Sequence, residues 1–100
     1  MLRLQPNPTF TAQVQIPVAG GEPEPVQFEF KHRTRDETRE LVERKELTDD
    51  ELVMAVACGW GLVEEFNAKN VHTLLQSYQA AAGAIYSTYL AQLSGVRLGN

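Results

Sequence analysis

Apolar residues recur at every second position up to Phe30 and at every third or fourth position beyond Thr34, so two kinds of secondary structure must meet in one short chain. Phe10, Ala12, Val14, Ile16 and Val18 alternate with Thr11, Gln13, Gln15 and Pro17, and Val26, Phe28 and Phe30 alternate with Gln27, Glu29 and Lys31. A strand sends successive side chains to opposite faces, so each run reads as a strand with one apolar face. Between them, Ala19–Pro25 holds two glycines suited to positive φ and two prolines that cannot donate to a ladder. The spacing predicts a β-hairpin over residues 9–31, preceded by a flexible lead over 1–8. Its loop exceeds the usual hairpin length and should project, and Pro17 favours an edge position for the first strand.

From Thr34 the signals are helical. Thr34-Arg35-Asp36-Glu37 has the form of a capping box, and Leu41 and Val42 give a thin apolar stripe to a short helix ending near Lys45. Glu40 and Arg44 stand at the favourable i, i+4 spacing. Thr48-Asp49-Asp50-Glu51 is a second capping box, with its acids where the helix dipole favours them. The helix that follows, rich in Leu52, Val53, Val56 and Ala57, should carry Cys58 and stop at Gly59-Trp60-Gly61. Leu62–Phe66 suits another helical turn. Asn67 can then cap a long final helix whose face is Val71, Leu74, Leu75, Tyr78, Ala82, Ile85, Tyr89 and Leu93, with Gly83 a place for a kink or break near 78–83. The order ββα followed by further helices, with no βαβ alternation, argues for an α+β fold: an N-terminal hairpin packed on a small bundle of three to four helices, with 34–95 helical and 1–100 a single domain.

Length limits the answer further. One hundred residues can bury about 65% of the surface exposed on unfolding, enough for one modest core and too few for a TIM barrel or a full dinucleotide-binding fold. Hydrophobic residues at 43% and charged residues at 22% place the chain among ordinary globular proteins rather than disordered ones. A net charge of −4 offers no footprint for nucleic acid. One cysteine excludes an internal disulfide, and neither a signal peptide nor a membrane span is legible, so a soluble cytoplasmic protein is expected. The charges are unevenly placed. Residues 31–46 hold 11 of the 22, whereas 67–100 hold only Lys69 and Arg97 and no carboxylate. A surface helix normally carries charge on its solvent face, so this last third should be covered by the rest of the chain or by a partner.

No catalytic or metal-binding constellation stands out, and no cofactor is expected. His32 and His72 lack acidic residues at ligand spacing, Cys58 reads as a buried inert thiol, and Asp49, Asp50 and Glu51 are accounted for by the helix start. Glu64 and Glu65 are adjacent, and adjacent helical residues do not face each other. Gly59-Trp60-Gly61 lacks the Lys and Ser/Thr of a phosphate loop. What remains is interaction: Tyr78, Tyr86 and Tyr89 lie along a nearly uncharged helix just after Trp60 and Phe66, as core or as contact surface. The hairpin edge is a second docking surface, by strand addition.

Several motifs then occur in order: Phe28-Glu29-Phe30-Lys31-His32-Arg33-Thr34, Gly59-Trp60-Gly61-Leu62, Phe66 with Asn70-Val71 and Leu74-Leu75, Tyr78, and the ending Arg97-Leu98-Gly99-Asn100. From about Phe10 to the C-terminus the chain resembles the tail assembly chaperones of long-tailed bacteriophages and prophages. It departs from many relatives at Gln79-Ala80, where they carry a Pro-Gly-type break, so the last helix can be continuous or split here.

The resemblance implies a non-enzymatic role in virion morphogenesis, in the bacterial cytoplasm. Such chaperones bind the long, aggregation-prone tape measure protein before the tail tube polymerises around it, and they are absent from the finished virion. Relatives are often made in two lengths by a translational frameshift, the longer form helping to recruit tube subunits. Trp60, Leu62, Phe66, Leu75, Tyr78, Tyr86 and Tyr89 are then expected as apolar contacts or as the core directly beneath them. Lys31, His32 and Arg33 are the polar candidates, and self-association into a homo-oligomer is implied. The alternative is a small neck, connector or tail subunit retained in the particle, which mass spectrometry of purified particles would reveal.

Overall fold

A computed structural model describes residues 1–95; the Arg97–Asn100 motif lies outside the described residues. The alternating runs form an antiparallel hairpin of β1 (Thr9–Ile16) and β2 (Glu24–Lys31), paired without interruption from Thr9 opposite Lys31 to Ile16 opposite Glu24. Alternation sorts the faces as read: Ala12, Val14, Ile16, Phe28 and Phe30 are buried, while Thr11, Gln13, Gln15, Gln27 and Glu29 face solvent. The hairpin turns through Val18–Gly21, closed by a Gly21 N–H bond to the Val18 carbonyl at 3.0 Å. Its Gly20 has φ +76°, which a side chain would oppose.

Both capping boxes form. Thr34 starts α1 (Arg35–Glu43) and Thr48 starts α2 (Asp49–Val56), each hydroxyl accepting the N–H of the glutamate three residues on while that carboxylate accepts the threonine N–H. In α1 only Leu41 is buried, so the charged segment is a largely solvated helix. The Glu40–Arg44 pairing gives way to Arg44–Glu46 at 2.9 Å.

Beyond α2 the helical reading fails. Ala57 turns to extended backbone, and Ala57–Trp60 forms β3, a third strand antiparallel to β2. The sheet order is β1-β2-β3. Gly59-Trp60-Gly61 is therefore not a helix stop, and Cys58 is neither helical nor buried: it is exposed. Phe28 faces Trp60, Glu29 faces Gly59 and Phe30 faces Ala57, which leaves Cys58 as the extra residue of a β-bulge. A Cβ on residue 59 would lie 3.2 Å from Glu29 Oε1, so glycine suits this close approach. Four residues are too few to show alternation, and an extended ladder partner outweighs their helix-like composition.

Leu62–Phe66 is an irregular loop rather than a helical turn. Asn67 does cap a helix, its side chain accepting the Asn70 N–H at 2.8 Å. The final helix is split into α3 (Ala68–Ser77) and α4 (Ala81–Ser94), the break falling at Tyr78–Ala80. Gly83, the residue read as a weak point, lies inside α4, three residues past the break. Gly95 closes α4 in the left-handed region at φ +77°.

The helices cover one face of the sheet: α4 packs on β1, α2 on β2 and β3, and α3 against α2. The expected hairpin-on-helices architecture is present with a third strand added, an α+β fold. The core is the layer between, with Phe28, Phe30, Val53, Val56, Val71, Ile85 and Tyr89 all fully buried. Ala81, Ala82, Ile85, Thr88, Tyr89 and Ala91 of the charge-free α4 are buried by the chain itself.

Candidate partner-binding site

Trp60 ends β3 with its ring edge-on to Phe28 (centroids 6.0 Å apart) and edge-on to Phe66 (5.1 Å). Its indole N–H donates to the Glu64 carbonyl at 2.7 Å, which curls the 61–66 loop back over the sheet. The Asn70 side-chain amide ties the far end of that loop to α3 through the Glu65 carbonyl, also at 2.7 Å. These two bonds hold the loop against α3 and open a cleft of about 460 Å³ at the turn end of the hairpin.

The hairpin contributes Ile16, Val18 and Val26 to its wall, β3 and the loop contribute Trp60 and Leu62, and the end of α3 contributes Leu74 and Tyr78. Among the described residues the only charged ones that line it are Glu24 and Glu64, with no lysine or arginine. Asn70, Thr73 and Ser77 add polar groups from α3, so the described lining is mainly apolar, with two acidic residues. Its volume falls in the range of ligand-sized concavities, with room for a few apolar side chains of a partner. Tyr78 is 38% exposed although it is a large aromatic, and Val63 on the neighbouring loop is fully exposed.

Three of the residues read as contacts, Trp60, Leu62 and Tyr78, are brought together in this cleft, and Phe66 supports Trp60 from the side. Leu75 is half-buried against the core and does not line it. Tyr86 and Tyr89 lie elsewhere, on α4. Tyr86 is half-buried, and burial raises its phenol pKa above the ordinary value, with Arg33 opposing and Tyr89 adding to the shift. Tyr89 is fully buried. It stacks on Phe10 and meets the Phe30 ring at a tilt, and its hydroxyl donates to the Lys31 carbonyl at 2.7 Å while accepting from Arg33 Nη1 at 3.1 Å. Ile16, Val18, Val26 and Leu74 were not singled out as contacts by sequence, because nothing in it brings the hairpin turn next to α3.

Lys31, His32 and Arg33 do gather, but in a separate polar depression of about 370 Å³ with Glu37, Glu40, Leu41 and Arg44. Lys31 Nζ reaches the Met54 carbonyl at 3.3 Å. Hydrogen bonds from the Thr34 backbone and hydroxyl lower the Glu37 pKa, so this carboxylate is held ionised by its capping role. The Arg33–Tyr89 and Lys31–Tyr89 bonds fasten the end of β2 to α4. Replacing Tyr89 with Phe leaves the Lys31 carbonyl and Arg33 without this partner. Chemical denaturation should show a loss of about 1–3 kcal/mol with far-UV dichroism unchanged; an unaltered midpoint would deny the hydroxyl a structural role.

Chemistry is sparse elsewhere. Cys58 is exposed as a residue, yet neighbouring atoms partly shield its sulfur; that shielding, with the Glu29 carboxylate beside it, raises the thiol pKa above its ordinary value. Among the described residues no group of three His, Cys, Asp or Glu could hold a metal ion, and no helix is long and apolar enough to cross a membrane. His72 and Asp50, 2.6 Å apart, link α3 to the start of α2.

No curated protein and no solved structure matches the chain. A protein-family model does: that of the phage tail assembly chaperones, over residues 1–100. The match spans the hairpin, β3, the cleft and all four helices, and by it this chain belongs to the phage tail assembly chaperone family.

Proposed function

We propose that the chain binds a helical segment of the tape measure protein in the cleft between the hairpin turn and α3, and so assists assembly of the tail tube around it. The observation that carries this reading is the cleft itself, where Trp60, Leu62, Leu74 and Tyr78 remain at least partly accessible although Phe28, Phe30 and Tyr89 are fully buried. An amphipathic helix can lay one turn across such a concavity, inserting residues at i, i+3 and i+4. Holding those side chains keeps an apolar stripe out of reach of other copies until tube subunits arrive. The role needs no covalent chemistry, and it would be carried out in the cytoplasm of the bacterial host, with the tail tube protein as a further partner.

Calorimetric titration of the full chain with overlapping segments of the tape measure protein tests this. Saturable binding to at least one segment with an apolar helical stripe is expected. Absence of binding to every segment, together with failure to co-purify after co-expression, overturns the reading.

A further inference from the structure

The lining of the cleft also sets the charge of what it can take, a selection that rests on the function proposed above. Six of the nine lysines and arginines fall within residues 31–45. Arg3 leads into β1 at the same end of the hairpin, because Thr9 pairs with Lys31. Glu24 begins β2 and Lys31 ends it, seven residues or about 23 Å away along extended backbone. Screening at physiological salt acts over about 8 Å, so the basic end of the sheet does not neutralise the cleft.

At the turn end, Glu24 and Glu64 line the cleft, and the exposed Glu22 and Glu65 stand beside them in sequence. Among the described residues none of the four takes part in an ion pair. The bonds that fix the 61–66 loop fall on the backbone carbonyls of Glu64 and Glu65, so they make no use of either carboxylate. The C-terminal end of α3 adds to the negative field. Leu74, Ser77 and Tyr78 line the cleft there, and the last turn of the helix carries no basic residue to offset its dipole. The opposing dipole end, at the start of α4, contributes no described residue to the lining. Lys69 is in the first turn of α3, about 13 Å along the helix from Tyr78.

A partner helix flanked by carboxylates would meet like charge here. A lysine or arginine can instead lay its stem along the apolar wall and carry its head to a glutamate. We propose that the cleft is selective for a cationic amphipathic helix. The apolar stripe of that helix seats against Trp60, Leu74 and Tyr78, and a Lys or Arg one turn away pairs with Glu24 or Glu64, the residues that set specificity.

Two synthetic helices test this, with the same leucine stripe and with flanking positions all lysine in one and all glutamate in the other. Each is titrated into the full chain while the Trp60 indole resonance reports seating. The lysine helix is expected to bind at least about tenfold more tightly, a margin that shrinks as salt is raised. In the Glu24→Gln/Glu64→Gln variant the margin should fall below about threefold. Glu40→Gln/Glu43→Gln, which removes the same charge from exposed positions of α1, should keep it. All four carboxylates belong to exposed residues, and the salt series on the wild type needs no variant. Equal binding of the two helices, a margin insensitive to salt, or equal margins in the two variants would overturn the charge selection and leave the function proposed above in place. Binding of neither helix would overturn the cleft itself as a docking site, and this proposal with it.

Discussion

Replacing Phe28 with Ala should lower the stability of the domain by about 3–5 kcal/mol. The side chain is fully buried in the central strand, opposite Ala12 on one side and Trp60 on the other, and stacked on Phe30 at 5.9 Å. Its removal leaves a cavity that the sheet cannot close, because its neighbours are fixed by ladders on both sides. Domains of this size have a total stability of about 5–15 kcal/mol, so the variant retains only part of it. Thermal unfolding should shift down by more than about 12 °C. The cleft should suffer as well, since Trp60 rests edge-on against Phe28. Phe28→Leu, which keeps most of the volume, should cost less than about 1.5 kcal/mol. Equal effects of the two variants would show that packing at this site is not what holds the sheet.

The second large effect concerns binding and separates it from folding. Leu62 and Tyr78 line the cleft yet are not packed on the buried core, unlike Trp60, Val26 and Leu74. The double variant Leu62→Glu/Tyr78→Glu should thus change stability by less than about 1 kcal/mol. Its effect on the tape measure protein should be far greater. Two apolar side chains are lost, and the new carboxylates join Glu24 and Glu64 in a concavity that has no lysine or arginine among its described lining. Truncated anchors of this kind cost about 2 kcal/mol or more, so affinity should fall by roughly 100-fold or beyond. Binding unchanged in a folded variant would move the contact away from the cleft. Loss of folding would instead show that these side chains support the core after all.

How much was legible in the chain depends on how local each signal is. Alternation over eight or nine residues reported the hairpin and its buried face, and both capping boxes and the Asn67 cap formed as read, because a cap depends on residues three positions apart. Ala57–Trp60 was missed because its strand character comes from β2, more than 25 residues earlier, and not from its own four residues. Without that strand, Cys58 reads as a buried helical thiol and Gly59, whose lack of a side chain eases the approach of Glu29, reads as a helix stop. The charge-poor last third pointed to a covered segment, and α4 is covered on one side by β1 and α2. Aromatic spacing alone could not distinguish Tyr89, whose hydroxyl is spent on Lys31 and Arg33, from Tyr78, which sits at the helix break beside the cleft. The hairpin end of the cleft was invisible for the same reason as β3: only the fold places Val18 and Val26 next to α3.

The chain belongs to the phage tail assembly chaperone family, and the proposed function puts its partner in the cleft beside Trp60. Trp60 is the only tryptophan in the chain, and its indole N–H, bonded to the Glu64 carbonyl, gives one isolated NMR resonance inside the cleft. Titrating the isotope-labelled chain with an unlabelled tape measure segment should shift that resonance and the amides of Leu62, Leu74 and Tyr78 in a saturable way. The amides of Arg33 and Glu40 in the polar depression should stay in place. A complex that forms while the Trp60 indole signal does not move, and whose shifts gather instead around Arg33 and α1, would contradict the account.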